Sequence, residues 1–309
     1  MIRRVKGMYK LARPFNALNG GLAVFLGGYV AGTGEWGKVA LAAVVAFLVT
    51  GAGNAWNDYL DIEIDRINQP HRALPAGMLS PKLALWFAVG LNVIALLIAA
   101  RINSSVFVIT LVFSILLYIY SWRLKSTVLL GNITVAVTSA VTVIFGGVAA
   151  GNPLPTVWLA VIIATGILGR EVLKTIADYE GDLRQQCRTI ATVWGKRAAR
   201  VVFYVVTGAT IWVMMVPYLV KMYQDSFSIC SFYDICRRLA PAPLVETLPV
   251  YNPIYAYIVA IGVFPVVAYV ILNVRRGVSG RRLEQLSQLL KYDFIVWFVA
   301  VVLGASGSG

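Results

Sequence analysis

Asn57, Asp61 and Asp65 recur at every fourth position in the stretch NDYLDIEID, and Asp178 and Asp182 repeat that interval in DYEGD. On a helix this spacing stacks side chains up one face, so each motif offers a short column of hard oxygen donors. Such incomplete donor sets suit Mg²⁺, which is usually held by one or two carboxylates while waters and substrate phosphate oxygens complete its octahedron. Acids gather here against the trend of the chain: Asp58, Asp61, Glu63, Asp65, Glu171, Asp178, Glu180 and Asp182 make up more than half of its 14 acidic residues. Basic residues interleave with them, namely Arg66, Arg72, Lys125, Lys174, Arg184 and Arg188. Metal and cations together describe a site for an organic diphosphate, whose charge calls for bridging metal ions on the carboxylates and Arg or Lys on the remaining oxygens.

A single DxxxD at a helix end is commonly a solvated face braced by i,i+4 salt bridges. Two of them, with Asn57 in register and in a chain poor in acids, point to ligands instead. Asp58 and Glu63 face away from the column and are read as groups that support the ligands or are merely solvated. Tyr118, Tyr120 and Lys125 in LYIYSWRLK suit an interfacial aromatic belt with a snorkelling lysine as well as a substrate contact. Arg13 and Asn16 in RPFNALNGG sit at a helix entry from which either could reach a cavity. His71 reads as a loop residue.

These motifs need elements that carry them to the ends of apolar helices, and the composition supplies such elements. The chain has 309 residues, is 59% hydrophobic and 13% charged, and has a mean hydropathy of +0.76, which is the range of integral membrane proteins. Apolar stretches run over 15–32, 39–57, 83–100, 102–120, 128–150, 156–177, 201–220, 251–274 and 289–304. They are continuous rather than alternating, so helices are expected and an outer-membrane barrel is not. Spans 2 and 6 each end in DxxxD followed by an arginine and a glycine (Arg72 and Gly77, then Arg188 and Gly195). The expected fold is therefore all-α: a multi-pass membrane bundle of about nine transmembrane helices, built from two related four-helix halves plus one. It would form a single transmembrane domain over 1–304 with a flexible tail at 305–309, and the two acidic motifs would converge on one cavity.

The formal charge is +13, yet of the 27 Lys and Arg only Lys38, Arg101, Lys221, Arg237 and Arg238 fall on the side of the membrane away from the motifs. The positive-inside rule then puts the N terminus and motif loops in the cytoplasm and the C terminus outside, with the first span retained as part of the cell-membrane protein. Basic loops facing anionic membrane lipids account for the charge, and no nucleic-acid partner is expected. Cys230 and Cys236 share the long external segment 221–250, where a disulfide is possible and a short surface helix is expected; Cys187 falls on the cytoplasmic side. A divalent-cation transporter would need charged groups deeper along a path, but spans 1, 3, 4, 5, 7 and 8 carry none in their central runs.

At these residues the sequence resembles the UbiA superfamily of intramembrane prenyltransferases. The family's first motif, N-D-x-x-D-x-x-x-D, is matched by Asn57, Asp58, Asp61 and Asp65. Its continuation is matched by Arg66, Pro70, Arg72, Leu74 and Pro75, with Ala73 in place of the common proline. The second motif is matched by Asp178, Gly181 and Asp182, preceded by Arg170, Glu171 and Lys174, and a tyrosine-lysine motif by Tyr120 to Lys125, followed by Gly131 and Asn132. The resemblance implies that Mg²⁺ held by Asn57, Asp61, Asp65, Asp178 and Asp182 binds the diphosphate of an isoprenyl donor, which ionises to an allyl cation. It further implies roles at the substrates for Asn16, Arg66, Arg72, Tyr120, Lys174 and Arg188, and a catalytic role for Lys125 beside the four aspartates. The acceptor implied is membrane-embedded. The basic N terminus, RPFNALNGG and YSWRLK most resemble the branch that prenylates geranylgeranylglyceryl phosphate, with aromatic quinone precursors such as 4-hydroxybenzoate or dihydroxynaphthoate as the alternative.

Overall fold

The computed structural model describes residues 2–184, 186–225 and 251–305, and every regular element among them is helical. In chain order these are α1 (Ile2–Ala12), α2 (Pro14–Val30), α3 (Trp36–Leu60), α4 (Ile62–Asn68), α5 (Pro81–Ile102), α6 (Ser104–Trp122), α7 (Leu130–Ala149) and α8 (Val157–Ala177). After them come α9 (Tyr179–Arg184), α10 (Ile190–Val193), α11 (Gly195–Asp225), α12 (Pro253–Asn273) and α13 (Gly280–Ala305). Eight of these, α3, α5 to α8 and α11 to α13, are long and apolar enough to cross a membrane. α2 has 17 residues, about 25 Å at 1.5 Å per residue, the short end of what spans hydrocarbon. The chain is thus a multi-pass membrane protein whose eight long spans and α2 correspond to the nine apolar stretches. Cys230, Cys236 and most of the 221–250 segment lie outside the described residues.

Two compact units divide the chain: one takes the residues up to Lys125 together with Val141–Thr156, the other Ser126–Ala140 together with everything from Val157 on. The division passes through α7 rather than between the fourth and fifth spans, where the repeat in the sequence would set it.

In the first unit, apolar attraction does little between helices already in lipid, so close packing depends on small residues. Ala42, Ala52 and Ala55 of α3 and Ala84, Ala88, Ala95 and Ala99 of α5 are buried without residual exposure. α2 and α7 meet backbone to backbone: a Cβ on Gly27 would stand 1.9 Å from the Val143 carbonyl oxygen, and one on Gly146 would stand 2.0 Å from that of Val24. At the end of α3 that carries the first motif, Leu11 of α1 packs with Ala55, Ala73, Leu74, Leu79, Ala84 and Ala88. This cluster pins the loop after α4. Arg3 Nη2 donates to the Ala76 carbonyl at 3.0 Å and Lys10 Nζ to that of His71 at 3.4 Å.

The second unit has its own core around the end of α8, where Val172, Leu173 and Ile176 pack with Ile190, Phe203, Val270, Leu283 and Leu286. A Cβ on Gly280 would meet the Ala177 carbonyl oxygen at 2.4 Å, so the start of α13 abuts the last turn of α8. α12 contains a π-helical turn at Val259–Val263.

Candidate active site

The first motif straddles a break. α3 ends at Leu60, and Asp61 adopts φ −90°, ψ 5° before α4 begins at Ile62. The four-residue hydrogen bonding nevertheless continues, from Asp61 N–H to the Asn57 carbonyl at 3.0 Å and from Asp65 N–H to that of Asp61 at 2.8 Å. The interval of four is therefore kept in the backbone hydrogen bonding across a change of helix. The second motif is built the same way: α8 ends at Ala177, α9 begins at Tyr179, Asp178 N–H bonds the Lys174 carbonyl at 2.8 Å and Asp182 N–H that of Asp178 at 2.9 Å.

Each acid of the first column already has a cation. Lys125, on the short turn Leu124–Ser126, binds Asp61 Oδ1, while Asn57 Nδ2 donates to Asp61 Oδ2 at 3.0 Å. Arg72 Nη1 donates to Asp65 Oδ2 at 2.6 Å and lies 3.5 Å from Asp58 Oδ1, which Arg13 also binds. Asp58 and Asp65 are only 3% and 4% exposed, so these arginines neutralise acids that water does not reach. Arg13 holds a left-handed backbone, φ 47°, immediately before Pro14 at the start of α2. That conformation is strained for a non-glycine residue, particularly before proline, and the ion pair to Asp58 fixes it.

In the second unit, Glu171 accepts from Arg170 at 3.1 Å and from Lys174 at 3.0 and 3.2 Å, and Lys196 bonds Glu180 at 2.9 Å. Asp178 is exposed, yet desolvation by the surrounding protein raises its carboxyl above the usual value; Lys174 opposes the rise and Glu284 and Glu171 add to it. Asp182 is pushed up to about 6, chiefly by burial and further by Asp178, against a hydrogen bond from Thr189.

Among the other residues singled out by sequence, Tyr120 is half-buried, Asn16 and Arg188 are exposed, and exposed Arg66 pairs with Glu63 at 2.9 Å. Glu63 is solvated. Asp58 is not: it is the buried anchor for Arg13 and Arg72, and only an arginine at a helix entry hinted at this in the sequence. His71 is an exposed loop residue. Among the described residues no three acidic, histidine or cysteine side chains stand close enough to share one metal ion. The donors on hand in each motif are carboxylates and an amide, the hard-oxygen type that Mg²⁺ takes one or two at a time.

Sequence reasoning passed over one further group. Asp293, in the middle of α13 and 6% exposed, lines a small cavity with Arg170, Thr207 and Thr210, and its Oδ1 has no hydrogen-bond partner. A lone acid inside an apolar span leaves no periodic signal.

Comparison with known proteins places this geometry. The model of the UbiA prenyltransferase family matches residues 21–233, a stretch that contains both acidic motifs. The chain belongs to the UbiA prenyltransferase family. Digeranylgeranylglyceryl phosphate synthase of Methanopyrus kandleri is 37% identical to this UbiA-family chain over 215 residues, 70% of the chain and 79% of that protein. The synthase of Methanothrix thermoacetophila is 36% identical over 72% of the chain and 85% of its own length. Among solved structures, one described as giving insights into digeranylgeranylglyceryl phosphate synthase in membranes has a TM-score of 0.76 at 24% identity, covering 98% of both chains. A UbiA homolog from Archaeoglobus fulgidus bound to DMAPP and Mg²⁺ has a TM-score of 0.60 at 18% identity, covering 94% of this UbiA-family chain and 99% of that one. Both structures share the helical fold.

Proposed function

We propose that this UbiA-family prenyltransferase moves a prenyl group from an isoprenyl diphosphate to the hydroxyl of a membrane-embedded lipid, geranylgeranylglyceryl phosphate. The observation that carries this reading is the 37% identity to a named digeranylgeranylglyceryl phosphate synthase along most of both chains. In the reaction the allylic carbon–oxygen bond of the donor breaks, diphosphate leaves, an ether bond forms, and the acceptor hydroxyl gives up its proton. No protein nucleophile is required.

Asn57, Asp61 and Asp65 in the first unit and Asp178 and Asp182 in the second would hold Mg²⁺. Bound Mg²⁺ supplies the positive charge that lets a diphosphate rest on carboxylates and depart as a stable anion. The chain's own cations complete the neutralisation. Lys125, Arg66, Arg72, Lys174 and Arg188 would take diphosphate oxygens, Arg72 with a guanidinium already held through Nη1 by Asp65 and Asp58. Asn16 and Tyr120 would contact the organic part of the substrates. The apolar helices keep water from the allyl cation, which would otherwise be captured as the alcohol. The N terminus and both motif loops would face the cytoplasm, and the C terminus the other side.

The purified protein with Mg²⁺ and labelled geranylgeranyl diphosphate, offered geranylgeranylglyceryl phosphate beside 4-hydroxybenzoate and dihydroxynaphthoate, should prenylate the lipid and stop when EDTA is added. Loss of groups that merely support a metal ligand costs 10–100-fold, so Asp61→Ala and Asp182→Ala should each lower turnover by about 100-fold or more. Product from an aromatic acceptor alone would refute the lipid reading. Unchanged turnover in both variants would refute the ligand assignment.

A further inference from the structure

The first motif raises an electrostatic problem that its proposed role as a metal site makes sharper. Both oxygens of Asp61 are engaged, Oδ1 by the Lys125 ammonium and Oδ2 by the Asn57 amide, and Asp65 is held by Arg72. A divalent cation that comes to this column must therefore displace a resident cation or sit beside one. The two resident cations differ in how readily they leave. Arg72 bridges two carboxylates whose side chains are 4% and 6% exposed, and taking its guanidinium away would strand Asp65 and leave Asp58 to Arg13 alone in a low-dielectric setting. Lys125 contacts a single carboxylate, is a point charge on a flexible four-carbon stem, and is itself 30% exposed. Lys125 is the cation that can move.

We infer that Lys125 is a charge placeholder: it neutralises Asp61 in the metal-free protein, and yields that carboxylate to the metal most readily when a diphosphate offers it a new anionic partner. Asn57, whose amide nitrogen is held by Asp61, would be free to offer its amide oxygen once that carboxylate is taken. Metal and diphosphate then favour each other's binding, because each makes room or supplies a partner for the other through one side chain. The device keeps the metal from settling tightly on an empty site.

This inference rests on the reading of Asp61 as a metal ligand, and its test separates the two. Binding of Mn²⁺ alone, without diphosphate, is measured by electron paramagnetic resonance on the full-length protein in detergent for the wild type, Lys125→Met, Lys125→Arg, Asp61→Asn and the double variant Lys125→Met/Asp61→Asn. Helicity by circular dichroism checks that each variant is folded. Lys125→Met removes the competitor and keeps the apolar stem, so it should bind Mn²⁺ more tightly by about 5–150-fold, the usual range of coupling between sites. Lys125→Arg should stay close to wild type, and Asp61→Asn should bind most weakly. If Asp61→Asn loses Mn²⁺ while Lys125→Met binds it no better than wild type, the placeholder is refuted and the ligand assignment stands. If the double variant Lys125→Met/Asp61→Asn binds Mn²⁺ as tightly as Lys125→Met, the ligand assignment itself fails.

Discussion

Burial lifts the Asp182 carboxyl to about 6 from an ordinary value of 3.8, and the sign of that shift has a measurable consequence in the metal-free protein. A folded-state value above the unfolded one means that the native chain holds the proton more tightly. The resulting stability is complete below about 4 and is lost as pH rises through about 6. In EDTA, the wild type should therefore lose melting temperature relative to Asp182→Asn between pH 4 and 7, and parallel curves for the two would contradict the shift. Asp58 makes a different case, a buried acid with two arginines set against it. Removing one member of a buried ion pair commonly costs about 3–5 kcal/mol. Arg13 and Arg72 remain about a third exposed and can be partly rehydrated, so Asp58→Asn should destabilise by about 2–3 kcal/mol in thermal unfolding. Spacing exposed the column of oxygen donors in the sequence. It could not show that Asp58 is buried, because that depends on Arg13, forty-odd positions earlier, folding back onto it.

At the scale of elements, the tightest prediction concerns α2 and α7. A methyl group on Gly27 or Gly146 would press into a backbone carbonyl of the other helix, an obstacle that no rotamer relieves. Gly27→Ala and Gly146→Ala should each cost about 3 kcal/mol or more, the upper end for overpacking. Gly90 in α5 has nothing near its missing Cβ, so Gly90→Ala should leave the melting temperature unchanged or raise it slightly. Similar losses for all three would remove the contact as the reason. The spans themselves were legible, since a continuous apolar run in a chain of this composition has few other uses. The break at Asp61 and its counterpart at Asp178 were not, because the interval of four is satisfied equally by one helix and by two joined through the same hydrogen bonds.

For the whole molecule, the asymmetric distribution of Lys and Arg predicts an orientation that labelling can read. In a background with Cys187, Cys230 and Cys236 replaced by serine, Ser80→Cys in the loop after α4 should resist a membrane-impermeant maleimide in intact cells. Gly34→Cys, between α2 and α3, should react; the reverse pattern would invert the topology. Apolar length made the class readable from sequence, whereas hydropathy registers neither the division of α7 between two packing units nor the glycine contacts between α7 and α2. The same contacts bear on how the protein is made. Gly27 emerges from the ribosome well before Gly146, and at about 5–20 residues per second the interval is roughly 6–24 s. Throughout that time α2 can pack on α3, which follows it directly, but the Gly27 face lacks the α7 backbone it meets in the folded protein, so the nascent chain passes through a stage in which that face of the first span has no partner.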